Sequence, residues 1–295
     1  MNQIAAPRAR NCAAAPDCPC DLHSLGAFDD LSGKVGDCEV LQCSRCGLGV
    51  SVPPLTDVAF LYADRESQDF VQDGSSVGHA IKTIAFRRQA RTLLTQVPAS
   101  PDRVLDFGCG SGQFTRALGD ILGPEKVTGS DFDATPPADL AGRPYLPASQ
   151  LDPVAGTFDL VLALHVLEHD DDPAALLRRI CSMARTGGTV VIEVPNVECI
   201  WVKVFGKAWD AWYLPFHRSH FSRAALRALA EREGYETIAL RDACVPTMGR
   251  SLSNVFGGDK GLFWLLTGIA THPLQWLGEK LSGRPSALRM ILRKR

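Results

Sequence analysis

Three glycines at alternate positions are the residues with the plainest chemical potential in this chain of 295 residues. The pattern Asp106-x-Gly108-x-Gly110-x-Gly112 ends an apolar segment and precedes a segment with helical periodicity. Glycines at this spacing let the backbone turn sharply and approach a ligand, and the following helix directs its N-terminus at the same spot. A dinucleotide loop of the G-x-G-x-x-G type needs its third glycine where Gln113 stands. The pattern therefore predicts a small-ligand loop of a different kind.

An acidic residue follows the next apolar segment. Asp131 directly follows the second predicted strand, which covers residues 126–130. In an open parallel sheet this position lies beside the glycine loop, about where a ribose needs acceptors for its hydroxyl groups.

Four of the seven histidines follow predicted strands or lie in loops beyond them, at His165, His169, His217 and His220. A histidine with a pKa near 6.5 can take a hydroxyl proton at neutral pH, and ligands bind at the carboxyl ends of parallel strands. His165 either lines that pocket or is a structural histidine. His220 is either a proton acceptor or the source of a hydrogen bond that fixes its loop.

Six of the ten cysteines lie within the first 46 residues. Cys43-x-x-Cys46-Gly has the form of a zinc knuckle, whereas Cys18 and Cys20 are separated by a single residue. A structural zinc held by Cys18, Cys20, Cys43 and Cys46 is the expectation. Cys12 or Cys38 can replace one of the first pair, and the alternative is a small core of cysteines without metal.

The elements that position these groups alternate between strand and helix patterns, which predicts a doubly wound α/β sheet. The strand candidates cover residues 103–107, 126–130, 144–146, 158–164, 189–194, 236–240 and 288–292. Asp172 and Ser222 are expected to cap the N-termini of helices, and Gly187-Gly188 to end one.

The formal net charge of −2 gives no general attraction to polyphosphate. Nucleic-acid binding is therefore not expected, and the lack of a leader or long apolar run predicts a cytoplasmic protein.

With these motifs, residues 18–242 resemble the class I, Rossmann-like, S-adenosylmethionine-dependent methyltransferases, in a branch with an N-terminal zinc-ribbon-like module. The resemblance rests on the glycine loop, on Gly129-Ser-Asp131, on the run from Phe158 through His165-Val-Leu-Glu168-His169, and on the run from Gly187 to Pro195-Asn196. It implies a seven-stranded, mostly parallel sheet whose last strand is antiparallel, and S-adenosylmethionine as cofactor.

The resemblance also implies roles for particular residues. It implies that the glycine loop lines the methionine end of the cofactor, that Asp131 accepts the ribose hydroxyls and that Phe132 packs on the adenine. The predicted cofactor-binding residues are Asp106, Gly108, Cys109, Gly110, Gly112, Asp131, Phe132 and His165. The sulfonium already activates the methyl group, so the protein supplies alignment and, for a protonated acceptor, a base. His220 is the first candidate, followed by His165 and His217.

The chain is expected to divide into a zinc-ribbon-like module over residues 1–54, a linker with leading helices over 55–102, and a cofactor-binding domain over 103–295. An aromatic insert over 197–221 either roofs the acceptor site or forms a satellite core. An apolar helical insert covers 248–285. Within it, residues 261–281 combine apolar bulk with nearby cations, which fits a peripheral membrane contact, a homodimer interface or a substrate lid.

The function expected from these features is methyl transfer to a small-molecule, sugar or lipid-linked acceptor, most simply to oxygen. The alternatives are a zinc-ribbon RNA methyltransferase and a non-catalytic protein that binds S-adenosylmethionine. The acidic balance of the N-terminal region argues against RNA, since residues 1–60 hold four cationic side chains and seven acids.

Overall fold

The computed structural model describes residues 21–55, 58–62, 76–97, 100–257 and 261–295. Cys12, Cys18 and Cys20 lie outside these residues. The described part of the chain contains no helix that is both long and apolar enough to cross a bilayer.

The central sheet confirms the doubly wound α/β prediction. Its six strands lie in the order β5-β4-β6-β7-β10-β9, and β10 is antiparallel to both of its neighbours. The predicted third strand, over residues 144–146, is reduced to a single bridge between Gly129 and Tyr145 at the sheet edge. The strands are β4 (Val104–Phe107), β5 (Val127–Ser130), β6 (Phe158–Leu164), β7 (Ala184–Pro195), β9 (Glu236–Ala243) and β10 (Ala287–Arg293).

Helices cover both faces of this sheet, each through its own apolar core. The helices on these faces are α2 (Ser76–Leu94), α3 (Gln113–Leu122), α4 (Pro173–Met183) and α6 (Arg223–Arg232). The other helices of the described residues are α1 (Ala59–Tyr62), α5 (Ile200–Phe205), α7 (Met248–Phe256) and α8 (Leu262–Ser282). Leu177 of α4 and Leu226 of α6 pack into one core, and Leu93 of α2 and Leu118 of α3 into the other. Helices on both faces pack against the same strands, and this packing holds the ends of the strands in place.

Local signals set the ends of two helices as predicted. Asp172 accepts a hydrogen bond from the Ala175 amide at 3.0 Å, and Ser222 accepts one from the Ala225 amide at 3.1 Å. The prediction for Gly187-Gly188 is wrong, because α4 ends at Met183 and both glycines lie inside β7. A Cβ at residue 188 would lie 2.8 Å from the Arg185 carbonyl oxygen, so close backbone packing explains that glycine.

A second sheet joins the N-terminal residues to the aromatic insert. It has the order β1-β2-β3-β8, formed by β1 (Leu22–Phe28), β2 (Cys38–Cys43), β3 (Gly49–Val52) and β8 (Ser219–His220), and its pairs are antiparallel. Trp209 and Trp212 of the insert pack with Cys38 and Val40 of β2. The aromatic insert therefore builds a core shared with the N-terminal strands, which corresponds to the satellite-core alternative.

Arg218 ties this second sheet to the rest of the molecule. Its side chain is completely buried, and its guanidinium donates to the Ser51 and Pro53 carbonyl oxygens at 3.2 and 2.5 Å. It also donates to the Asp171 carboxylate at 3.1 Å. One planar cation thus joins β3, β8 and the loop that precedes α4, a set of donors that lysine cannot reproduce.

We predict that Arg218→Met lowers the free energy of unfolding by roughly 3 kcal/mol, because it leaves two buried carbonyls and a carboxylate without their donor. Urea unfolding followed by tryptophan fluorescence measures the change. Arg185→Met is the matched control, since Arg185 is 54% exposed and pairs with Asp159 at the surface. A loss for Arg218→Met no larger than that of the control contradicts the linking role.

Candidate functional site

The glycine loop after β4 has the backbone that its sequence predicts. Gly108, Gly110 and Gly112 have φ values of 77°, 53° and 80°, in the left-handed region that disfavours side chains. A Cβ on Gly108 would lie 2.4 Å from a methyl group of Val166, and one on Gly112 would lie 2.9 Å from the Leu140 amide nitrogen. Both the dihedral angles and the contacts therefore require glycine at these two positions.

Asp131 closes the loop from the end of β5. One carboxylate oxygen accepts from the Gly110 amide at 2.7 Å, and the other accepts from the Phe132 amide at 2.7 Å. A carboxylate oxygen can accept more than one hydrogen bond, so Asp131 keeps capacity for the ribose hydroxyls. Phe132 is 79% exposed beside it, in a position from which its ring can cover a flat base.

Two of the predicted cofactor-binding residues support this loop from inside the protein. Asp106 is buried and accepts a hydrogen bond of 2.6 Å from the Thr115 hydroxyl group of α3. Burial raises the pKa of Asp106 to about 6, although the Thr115 bond opposes this shift. The Cys109 side chain is also buried, and its amide donates to the Ser130 carbonyl at 2.9 Å. These contacts favour a supporting role for Asp106 and Cys109.

The geometry of the loop fits S-adenosylmethionine. The glycines leave room for a close ligand, and Asp131 offers carboxylate oxygens at the end of β5, beside the loop. Gly112 begins α3 without a side-chain cap, so the first amides of α3 face the loop. Tyr145 is an addition that the sequence did not reveal. Its hydroxyl donates to the Asp133 carbonyl at 2.5 Å and steadies the segment after β5.

A buried charge network lies at the ends of β6 and β7. Glu193 of β7 has no exposed surface and forms an ion pair with Arg289 of β10, with nitrogen to oxygen distances of 2.6 and 2.5 Å. His165, directly after β6, lies with Nε2 3.2 Å from Glu193 and Nδ1 3.3 Å from Glu168. No role for Glu193 or Arg289 could be read from the sequence, because the two residues are 96 positions apart. Glu168 lies three residues after His165, within the run that carries the resemblance, but the sequence indicates no separate role for it.

Two carboxylates hold His165 in its charged form. Burial alone would lower the pKa of His165, but the hydrogen bond to Glu168 and the negative charges of Glu168 and Glu193 outweigh it and raise the pKa to about 10. The residue also has a φ of 58°, which is uncommon for a side chain other than glycine. His165 is therefore an imidazolium ion at neutral pH, with a third of its side chain exposed.

His217 has the opposite character. Its Nδ1 donates to the Ala211 carbonyl at 2.9 Å, so Nε2 carries the lone pair, 3.9 Å from Glu168. Burial, followed by the electrostatic effect of the neighbouring His169 and His220 imidazoles, holds the pKa of His217 well below its ordinary value. Glu168, His169 and His217 each present one potential metal-binding atom, with all three atoms within 4.8 Å of one another.

His220 lies within a chain of hydrogen bonds to the N-terminal sheet. The Ser51 hydroxyl donates to the His217 carbonyl at 2.7 Å, so His220 Nε2 donates to Ser51 Oγ at 2.9 Å. Burial and the nearby Arg218 cation lower the pKa of His220 to about 3. This arrangement favours the loop-fixing alternative over the role of general base.

The zinc site remains a prediction. Cys43 is buried at the end of β2, and Cys46 follows in the turn before β3. Cys38 starts β2 five residues earlier, roughly 16 Å away along an extended strand, and packs in a different apolar core. One tetrahedral ion cannot span that distance, so the structure argues against Cys38 as a ligand beside Cys43 and Cys46.

Comparison with known proteins adds independent evidence. Residues 79–240, more than half of the chain, match the family described as a methyltransferase domain. A tRNA U34 carboxymethyltransferase of Pseudoalteromonas translucida is 26% identical over 217 residues, covering 66% of this chain and 62% of that protein. A ubiquinone biosynthesis O-methyltransferase of Azorhizobium caulinodans is 31% identical over 140 residues, covering 44% of this chain and 54% of that protein.

This chain thus spans less than two thirds of the length of these curated relatives. Among solved structures, the 1,6-didemethyltoxoflavin-N1-methyltransferase of Burkholderia thailandensis, bound to its substrate and S-adenosylhomocysteine, superposes with a TM-score of 0.51. It is 19% identical and covers 85% of this chain and 96% of its own, which shows a shared fold. By its family match, its sheet order and its glycine loop, the chain belongs to the class I S-adenosylmethionine-dependent methyltransferases.

Proposed function

We propose that the protein transfers the methyl group of S-adenosylmethionine to an oxygen atom of a small-molecule, sugar or lipid-linked acceptor. The observation that carries this proposal is the cluster of His165, Glu168, Glu193 and His217 beyond the ends of β6 and β7. Val166 follows His165 and packs against Gly108, so the cluster adjoins the methionine end of the cofactor loop.

The cluster can handle the acceptor proton. When bound, S-adenosylmethionine supplies a methyl group that its sulfonium has already activated. His217 has the lone pair on Nε2 with which to take the hydroxyl proton. Its pKa lies well below the ordinary value, so the transfer depends on Glu168, 3.9 Å away, which stabilises the imidazolium that results. His165 places a fixed positive charge beside the same carboxylate, where it favours an oxygen atom that is losing its proton.

A small acceptor fits the surface charge better than RNA does. The first two strands and their connection carry Asp29, Asp30, Asp37 and Glu39 against Lys34 as their sole cation. Phosphate contacts dominate nucleic-acid affinity and need clustered cations. Because some relatives are named tRNA carboxymethyltransferases, methylation of RNA is the competing outcome of the experiment described next.

Transfer of an isotope-labelled methyl group tests the acceptor class. The protein is incubated with labelled S-adenosylmethionine and a cell extract that is then separated into small-molecule, lipid and RNA fractions. With a ¹³C label, we expect the label in the small-molecule or lipid fraction, with the ¹³C chemical shift of a methyl group on oxygen. Label confined to RNA contradicts the proposal, as does label on nitrogen or carbon.

For the cofactor site, we predict that Asp131→Ala weakens S-adenosylmethionine binding by about 1.5–3 kcal/mol, the range for a hydrogen bond to a charged group. Isothermal titration calorimetry measures the change, with a melting curve to verify the fold. Asp133→Ala is the control, because the neighbouring acid contributes its backbone carbonyl to Tyr145. Equal affinity of the Asp131 variant and the wild type contradicts the ribose assignment.

For the acceptor site, we predict that His217→Gln lowers kcat by about 10²- to 10⁴-fold while cofactor affinity changes little, as expected for loss of a general base. His220→Gln and Ser51→Ala should instead lower the melting temperature together, because they break the same hydrogen bond. A His220 variant with normal stability and a kcat as low as that of the His217 variant would reverse the two assignments.

The raised pKa of His165 predicts a pH-dependent contribution to stability. The charged imidazole faces Glu168 and Glu193, with Arg289 on the far side of Glu193 and neutral His217 beyond Glu168. Since the folded pKa of about 10 exceeds the ordinary value near 6.5, this stabilisation is complete below about pH 6.5 and is lost as the pH rises toward 10. The difference in unfolding free energy between wild type and His165→Gln should therefore shrink over that range.

Urea unfolding at a series of pH values measures this difference. His23→Gln provides the control, because His23 is an exposed histidine on β1. A difference between wild type and His165→Gln that stays constant from pH 6.5 to 10 contradicts a charged His165.

A further inference from the structure

Helix α8 has its polar residues inside and its apolar residues outside. Gln275 and Glu279 are buried against the protein, whereas the opposite side of the helix is solvent-exposed and apolar. Phe263 is 69% exposed and Leu281 is 79% exposed, near the two ends of the helix. The exposed apolar face, as we call it below, comprises Leu262, Phe263, Leu266, Ile269, Leu274, Trp276, Leu277 and Leu281.

Hydrogen bonds fix this orientation. The Gln275 side chain donates to the Val245 carbonyl at 2.7 Å and accepts from the Thr247 amide at 3.2 Å. Glu279 accepts from the Ser286 amide at 2.9 Å and from the Trp201 indole at 3.1 Å. Rotation of α8 to bury its apolar face would leave these groups unpaired, so the helix presents that face to whatever surrounds the protein.

The preceding helix extends the same surface. Val255 and Phe256 at the end of α7 are 50% and 73% exposed, and the Phe256 ring stacks on Trp264 at a centroid distance of 6.5 Å. α7 and α8 pack closely, since a Cβ on Gly249 would lie 2.2 Å from the Trp264 carbonyl oxygen. An apolar patch of this extent on a soluble surface marks an interaction site.

On α5, on α8 and in the residues directly after each, the exposed charged side chains are all cationic. Lys280 lies over the Trp276 ring at 4.9 Å, Arg284 follows the helix, and Lys203 lies on α5, which contacts α8 through Trp201 and Gly278. Residues 200–208 and 261–284 contain one acid, Glu279, and it is buried. An apolar surface with an exposed cationic border is complementary to a partner that has an anionic surface and an apolar interior.

We propose that the exposed apolar face docks on the surface of a membrane that contains anionic lipids, with α8 lying in the plane of the interface. The helix of 21 residues extends about 31 Å along that plane. Aromatic and aliphatic side chains enter the acyl boundary, and Lys203, Lys280 and Arg284 meet the phosphate groups. If two copies of the chain met in a two-fold contact centred on the C-terminal end of α8, the cations Lys280 and Arg284 of the two copies would instead face one another.

Sedimentation of the full chain with lipid vesicles tests this inference independently of methyl transfer. Vesicles of phosphatidylcholine with phosphatidylglycerol are compared with vesicles of phosphatidylcholine alone. We expect binding to the anionic vesicles that weakens with salt, together with a blue shift of tryptophan emission. Phe263→Ser combined with Leu266→Ser should reduce the partition coefficient at least about tenfold, because two apolar side chains lose their burial.

The charged border is tested by Lys280→Glu combined with Arg284→Glu, which should also reduce binding to anionic vesicles at least about tenfold and remove most of its salt dependence. Ile84→Ser, at an exposed apolar residue of α2, is the matched control and should bind as the wild type does. Each variant affects side chains at the surface, and melting curves confirm that it is folded.

Three results would overturn the inference. The first is the absence of vesicle binding by the folded wild type. The second is equal binding to neutral and anionic vesicles, which removes the role of the cations. The third is a stable dimer in sedimentation equilibrium that Phe263→Ser with Leu266→Ser dissociates while vesicle binding persists, which assigns the face to a second copy of the chain.

Discussion

The buried carboxylate of Glu193 is the constraint on which the proposed acceptor end of the molecule depends. It lies in the middle of the central sheet without exposed surface, so its charge must be balanced by neighbours. Arg289 supplies one positive charge from the antiparallel strand β10, and His165 supplies the other from the end of β6. Removal of either partner leaves a buried carboxylate partly uncompensated. The same pairing keeps His165 protonated, and it helps to hold that residue at its left-handed φ.

This network also connects the acceptor end to the cofactor end. The chain leaves β6 at His165, and the next residue, Val166, fills the space that the missing side chain of Gly108 leaves. His165 also donates its amide to the Glu193 carbonyl oxygen at 2.8 Å. The position of the imidazolium relative to the glycine loop is therefore set by backbone contacts. Substitutions at Glu193 or Gly108 should disturb both halves of the site together.

The features that the sequence predicted correctly are local ones. The glycine loop, the cap at Asp172 and the cap at Ser222 each depend on residues within a few positions of one another. The roles of His220 and His165 depend on Ser51 and Glu193, which are 169 and 28 positions away. The sequence around a histidine beyond a strand end does not show whether its partner is a serine or two glutamates. The doubly wound sheet with its antiparallel last strand could be predicted, but the order of its strands and the charge states of these side chains required the structure.

Distant partners also explain why the sequence left three alternatives for residues 261–281, a membrane contact, a homodimer interface or a substrate lid. Apolar residues at helical spacing predict a face that avoids water, and in most helices that face covers the core. Here Gln275 satisfies the backbone of the segment between β9 and α7, and Glu279 satisfies that of the segment before β10, so the polar side of α8 is turned inward. Two polar side chains with distant partners thus decide the direction of eight exposed apolar ones. A polar residue on an otherwise apolar helix is therefore informative about orientation, because its partners fix which side of the helix meets the protein.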